Sequence, residues 1–334
     1  MLVDVHAHYV PAECFRQPSF GFSVVTLPDF GPTLMRAGAP LGPAEQTIEQ
    51  LSDLPRRLAD MDGAGIDMQA LSVDPGMFGY DLELGESAQR CAVLNAGLAA
   101  TVQAAPDRFV ALGTVSLQSV PAAVAQLQEC VQRLGMRGVS VCTDVNGTNL
   151  GEPEFWPFWE AAEALNATVL LHPYNPAAGE RTRKHGMRVV IGNPFESSIA
   201  LYSIVYSGVL ERYPRLRVIV VHGGGVIPYL LGRIRKGDAV RSDMHGLLPR
   251  PLSEYLSRVY VDTVVHDPAT LAFLVQIWGA DLIAPGTDYP YDLGDLRPRD
   301  TVAAAQLDDD VRHQILERNG ARALGLLTDV EVTA

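Results

Sequence analysis

Short apolar, β-branched runs recur along the chain, with helical patterns between most of them. The runs are LVDVHAH (2–8), MQALSVD (68–74), FVALGTV (109–115), GVSVCTD (138–144), ATVLLHP (167–173), RVIVVHG (217–223), RVYVDTV (258–264) and LIAPGTDY (282–289). Between them, ESAQRCAVLNAGLAATVQAA (86–105), VPAAVAQLQECVQRLG (120–135) and FWPFWEAAEALN (155–166) carry the spacing of amphipathic helices. Nearly continuous hydrophobic strands alternating with such helices predict a parallel sheet covered on both faces. Eight of them in succession predict an α/β fold closed as a (β/α)8 TIM barrel. An open doubly wound sheet would carry a Gly-rich phosphate fingerprint after an early strand, and none follows LVDVHAH.

The connection from 9 to 67, about sixty residues, is long for a strand-to-helix loop. From Pro11 to Gly42 it is rich in Pro, Gly and Phe and shows no clear period. We read 1–334 as a single barrel domain, with 9–60 as an insertion that covers the mouth and selects the substrate. No linker, repeat or low-complexity tract divides the chain, and the tail VEVTA is expected to fray.

In such a barrel the chemistry sits where the strands end. His6 and His8 are two apart on a strand, so both side chains point one way and Ala7 the other. His172 ends the fifth strand in LLHPYNP, His222 the sixth in VVHGGG, and Asp288 the eighth in PGTDYP. Each follows an apolar run, where an unpaired polar group costs about 1–3 kcal/mol. Three imidazoles and one carboxylate, His6, His8, His172 and Asp288, suit Zn²⁺ with a water completing the site. A metal held there acidifies that water, and Asp288 can accept its proton. His222 is left over. Three glycines follow it and allow close backbone approach, and it reads as a general acid or electrostatic stabiliser. His185 and His245 in loops and His313 in a helical pattern read as solvated, and His266 as a packing or hydrogen-bonding residue.

The 334 residues carry a formal charge of −13 without a Lys/Arg run, which excludes nucleic acid and anionic membranes as partners. An anionic substrate must then be held by a metal or by a few placed arginines. No stretch approaches the ~20 apolar residues of a membrane span, and Asp4 and His6 interrupt the early apolar stretch that a signal peptide would need. Cys14, Cys91, Cys130 and Cys142 form no CxxC pair and read as reduced thiols of a cytoplasmic protein.

The pattern HxH, a strand-five His, HGGG and GTDYP resembles the amidohydrolase superfamily. Within it the chain looks like the decarboxylase branch typified by 2-amino-3-carboxymuconate-6-semialdehyde decarboxylase. MDGAGIDMQALSVDPGMF (61–78), LNAGLAATVQAAPDRFVALGTVSLQ (94–118), VHGGGVIPYLLGRI (221–234), VVHDP (264–268) and GTDYPYDLG (286–294) carry that resemblance. It implies that His6, His8, His172 and Asp288 ligate the metal, with His222 and Asp288 catalytic. It implies one divalent metal, zinc first and manganese as the alternative. GVSVCTD offers Cys142 and Asp144 in place of the strand-four lysine of binuclear members. Arg233, in HGGGVIPYLLGR, matches an arginine that reaches the substrate carboxylate of the neighbouring subunit in a homodimer.

Two departures mark the pocket. A second substrate arginine of the branch has its place near Glu45 here, with Arg36 the nearest substitute upstream. A loop tryptophan before the NP dipeptide is replaced in GMRVVIGNP by Arg188 and Val189. Arg188 and Phe78 join Arg233 as candidate substrate contacts. The implied function is metal-dependent non-oxidative decarboxylation of an aromatic or muconate-like small-molecule carboxylate. The alternatives are hydrolysis of a C–C bond or amide, or hydration of a ring-fission product, in the same site, or a non-catalytic metal-binding protein.

Overall fold

Val, Leu and Ile favour the half-pleated, two-sided burial of a parallel strand, and each apolar run of the sequence forms one. The computed structural model describes residues 1–36, 39–174 and 179–327; the tail VEVTA lies outside the described residues. In chain order the strands are β1 (Val3–Tyr9), β2 (Phe22–Leu27), β3 (Gly31–Arg36), β4 (Ala39–Pro43), β5 (Met68–Val73), β6 (Phe109–Gly113) and β7 (Gly138–Cys142). A small hairpin, β8 (Asp144–Val145) and β9 (Thr148–Asn149), follows. Then come β10 (Thr168–His172), β11 (Arg217–Val220), β12 (Val259–Asp262) and β13 (Ile283–Ala284). Eight of them pair in parallel in the order β1-β5-β6-β7-β10-β11-β12-β13. The ends of that sheet meet: Val5 N donates to Pro285 O (2.9 Å), Asp288 N to His6 O (2.8 Å) and His8 N to Tyr289 O (2.7 Å). The fold is a (β/α)8 barrel.

One irregularity in β1 decides where its side chains go. β1 pairs with β5 at Val3–Met68 and Asp4–Gln69, and pairing resumes at Ala7–Leu71. Three steps on β1 therefore face two on β5, which is a β-bulge. Before it, Val3 and Val5 point into the barrel and pack with Ala70, Leu170 and Ile219. After it, the parity is reversed and His6 and His8 point inward instead. Asp4, buried on the outer face, stabilises the bulge. Its carboxylate accepts from His6 N (3.0 Å), Thr287 N (3.1 Å), Thr287 Oγ1 (2.6 Å) and Gln69 Nε2 (2.9 Å). Burial raises its pKa to about 6 against those hydrogen bonds.

The segment without a sequence period is more regular than expected. β2, β3 and β4 form an antiparallel sheet, followed by helices Ala44–Ser52 and Leu54–Ala64. The strands are short, β3 and β4 carry Pro and Gly, and the middle of β2 is exposed, so neither alternation nor a buried apolar run announces them. Arg57 of the second helix is fully buried and donates to His8 O and to Gln69 Oε1 (3.1 Å), which ties the insertion to β1 and β5. Among the described residues no helix is long and apolar enough to cross a membrane.

Candidate active site

The strand ends converge on one carboxylate. His6, His8, His172 and Asp288 are all buried, and one potential ligand atom from each lies within 4.8 Å of all the others. Every imidazole has its Nδ1 anchored: His6 to Asp262 Oδ2 (2.7 Å), His8 to the Val73 carbonyl (3.0 Å) and His172 to the Pro173 carbonyl (2.8 Å). Those acceptors fix the proton on Nδ1 and leave Nε2 with a bare lone pair. The three Nε2 atoms then face Asp288 Oδ1 at 3.2, 3.0 and 4.0 Å. Nε2 of His6 and of His172 has no hydrogen-bond donor. Lone pairs turned on a carboxylate oxygen at such distances repel unless a proton or a metal cation lies among them. The donor set therefore fits a divalent metal, held by three nitrogens and one oxygen.

Electrostatics point the same way. Burial alone would raise the pKa of Asp288, but the surrounding imidazoles outweigh it and hold the carboxyl well below the usual range. Burial pulls His6 down, yet Asp288 and Asp262 hold it up at about 10. His172 falls to about 3, first through burial and then through the charge of the other histidines, against the pull of the nearby Asp288 carboxylate. Without a metal, a proton on His6 thus supplies the positive charge beside Asp288 that a divalent cation would bring on taking the Nε2 lone pairs.

His222 stands apart from these four. Its ring centroid is 5.5 Å from that of His6 and 5.4 Å from that of His172, and its Nε2 is 3.8 Å from Asp288 Oδ2. Its Nδ1 has no partner, and its side chain is 13% exposed. The residue sits at φ 59°, in the left-handed region, as does Asp288 at φ 54°. Such backbone costs about 1–3 kcal/mol per residue and persists where the surroundings fix it. Gly225, at φ 67°, lies so close to the Pro194 carbonyl that no side chain fits. Here the glycines are needed for conformation and for approach.

A wall of aromatic and charged groups flanks the cluster. The Tyr291 ring lies 5.2 Å from His8, and its hydroxyl bonds to Asp74. Asp74 pairs with Arg36, which is 9% exposed, has an unpartnered Nε and stands 5.3 Å over the Tyr174 ring. Arg188 faces the same ring at 5.1 Å and donates to the Tyr174 carbonyl (2.7 Å). Phe78 is buried, stacks on Tyr80 and lines a cavity of about 370 Å³ that also touches Cys142, Tyr174 and Glu196. Arg233 lies elsewhere, on the exposed face of helix Ile227–Val240, in the lining of an apolar groove of about 930 Å³. Glu45 is exposed at the start of helix Ala44–Ser52. His185, His245, His266 and His313 are exposed and stand outside the cluster.

Sequence reasoning missed Asp4, Asp262 and Asp74. Asp262 was visible as a carboxylate at the end of the apolar run RVYVD, the same signal that singled out the histidines.

Comparisons with known proteins identify the family. The amidohydrolase family profile matches residues 3–326. A 2-amino-3-carboxymuconate-6-semialdehyde decarboxylase of Dictyostelium discoideum is 33% identical over 272 residues, 81% of this chain and 76% of that protein. A gamma-resorcylate decarboxylase of Polaromonas sp. is 27% identical over 253 residues, 71% of this chain and 77% of that protein. The crystal structure of a Polaromonas dihydroxybenzoic acid decarboxylase, with bound manganese and the inhibitor 2-nitroresorcinol, superposes with a TM-score of 0.82. It is 21% identical and covers 100% of this chain and 99% of its own. The chain belongs to the amidohydrolase family, in the branch of the 2-amino-3-carboxymuconate-6-semialdehyde decarboxylases.

Proposed function

We propose that the protein is a metal-dependent carboxy-lyase that removes CO₂, without oxidation, from an aromatic or muconate-like carboxylic acid. The observation that carries this reading is the set of three imidazoles, each tied at Nδ1, whose Nε2 atoms converge on Asp288 beside an unligated His222. A divalent cation held by His6, His8, His172 and Asp288 supplies Lewis-acid charge that draws electron density from the substrate. His222, with a free Nδ1 and a partly open side chain, delivers a proton to the carbon that bears the carboxylate. The bond from that carbon to the carboxylate then breaks, its electron pair restores the unsaturated system, and CO₂ leaves. Solvent reprotonates the histidine through its partly open side, and Asp288 Oδ2, 3.8 Å from His222 Nε2, stabilises the imidazolium.

Arg36, Tyr174 and Phe78 wall the substrate, with Arg36 in the place of the arginine absent at Glu45 and Arg188 at the outer edge. The sheet β2–β4, which delivers Arg36, serves as the mouth cover. The imidazole-rich ligand set favours zinc, with manganese as the alternative. Exposed Phe195, Ile199 and Val240 around Arg233 support a homodimer in which Arg233 serves the partner's site. Four buried free cysteines support a reducing, cytoplasmic location.

The test is to reconstitute the metal-free protein with Zn²⁺ or Mn²⁺ and to screen carboxylated phenols, catechols and muconate semialdehydes for CO₂ release. One carboxylate lost per turnover, dependent on metal, is the expected result. A ring-fission compound that is cleaved or hydrated with no CO₂ released overturns the reading in favour of hydrolase or hydratase chemistry.

A further inference from the structure

We infer that Asp262 is a positioning residue that sets His6 and the His222 turn together, and that a carboxylate is required there. Resting in part on the proposed function, this assigns the residue no contact with substrate. Asp262 is the last residue of β12, fully buried, and its side chain points into the barrel. Its two oxygens serve two different pieces of the site. Oδ2 accepts from His6 Nδ1 at 2.7 Å. Oδ1 accepts from Gly223 N at 2.8 Å and from Val264 N at 3.2 Å. Gly223 belongs to a run of four left-handed residues, His222 at φ 59°, Gly223 at 60°, Gly224 at 77° and Gly225 at 67°. Left-handed backbone of this length has no local preference to hold it. The bond from Gly223 N supplies a fixed point immediately after His222.

All three partners of Asp262 are N–H donors, so the side chain must accept at both ends. A carboxylate does; an amide of the same shape has only one accepting atom. In Asp262→Asn the NH₂ group must face either His6 or Gly223. Facing His6, it forces the imidazole proton onto Nε2 and removes the lone pair aimed at Asp288. Facing Gly223, it sets donor against donor and loosens the His222 turn. There is no room to escape by moving the strand. A Cβ on Gly286 would lie 2.8 Å from Asp262 Cβ and 3.2 Å from His6 Cβ, so the main chain just past β13 packs directly on both residues. His8 and His172 are anchored instead by the main-chain carbonyls of Val73 and Pro173, which no substitution removes. Of these three imidazoles, His6 is the one whose Nδ1 is held by a carboxylate; at His8 Nδ1 the Ser72 hydroxyl adds only a 3.4 Å contact beside the Val73 carbonyl.

The test compares wild type with Asp262→Asn and Asp262→Ala. Metal affinity is read by cobalt(II) absorption in competition with a chelator, and kcat is read at saturating metal. The expected result is a 10–100-fold loss of cobalt affinity, the range for removing the partner of a ligating histidine. A further loss of about tenfold or more in kcat should persist at saturating metal, because the His222 turn is loosened as well. The thermal midpoint of the metal-free protein should fall as well, since buried N–H donors lose their acceptor, so cobalt affinity and saturated kcat are the readouts that mark positioning. Unchanged cobalt affinity overturns the inference, as does a fall in the metal-free midpoint with affinity and saturated kcat intact. Should the variants fail to fold, wild type still decides. The Gly223 amide should resist hydrogen exchange, and ¹⁵N-labelled histidine in the zinc-loaded protein should report His6 with its proton on Nδ1. Rapid exchange at Gly223, or the other tautomer, overturns it. Cobalt affinity, exchange and tautomer are read without substrate, so a failure to find CO₂ release would leave them standing.

Discussion

Leu170 and His172 lie two apart on β10, on the same inward face, and live in opposite surroundings. Leu170 packs with Val5, Ile219 and Ala284 in an apolar plug, which Ala321, Ala323 and Leu324 cap from below. His172 stands among two other imidazoles, with its Nε2 bare. Every barrel strand that reaches the site makes a similar switch within a few residues. The plug gains stability from each buried methylene, about 0.8 kcal/mol apiece. The rim spends stability on buried polar atoms, left-handed backbone at His222 and Asp288, and lone pairs that face each other. One end of the cylinder sustains what the other end costs.

Breaking the rim should cost activity and leave the fold. The largest effect is expected for His8→Ala, which removes one of the converging Nε2 atoms. Bound metal and turnover should vanish together, as read by elemental analysis and CO₂ release, with the circular dichroism of the barrel intact. Full activity with metal still bound would refute the ligand assignment. His222→Asn comes next: metal content should stay at the wild-type level while kcat falls by roughly 10²–10⁴. Loss of metal there would move His222 into the ligand shell. Breaking the plug should do the reverse. Leu170→Ala, at a fully buried position, should lower unfolding free energy by about 2–5 kcal/mol. The kcat of the folded fraction should change less than twofold. A collapse of kcat with unaltered stability would show that the two ends are not separable in this way.

The barrel was legible because its strands are buried on both sides and so read as apolar runs. The five rim residues were legible because each is a polar group closing such a run, at His6, His8, His172, His222 and Asp288. The bulge was not. Two-residue alternation places His6 and His8 on one side correctly, but extended back to Asp4 it would put that residue inward too. The carboxylate lies outside instead, bonded to Gln69 and Thr287. Register is a property of the pair of strands, and β5 alone shows where the extra residue falls. The antiparallel sheet β2–β4 was hidden for another reason. The middle of β2 is exposed, so it lacks the burial pattern that marks a strand. The burial of Arg36 follows from the same sheet and could not be read from a lone arginine in a Pro- and Gly-rich stretch.

The approach of His8 Nε2 to Asp288 spans 280 residues of chain, and the hydrogen bond between His6 and Asp262 spans 256. Contacts of such separation are entropically costly and form late in folding. A nascent chain that has emerged through β12 holds all three histidines and Asp262 but lacks the Asp288 carboxylate, and its first strand has not yet found its last. The ligand set is completed only when the cylinder closes, so acquisition of the metal becomes a timestamp for closure. A cell that supplies the cation therefore loads finished barrels, and the bound ion in turn holds shut the seam that was the last to form.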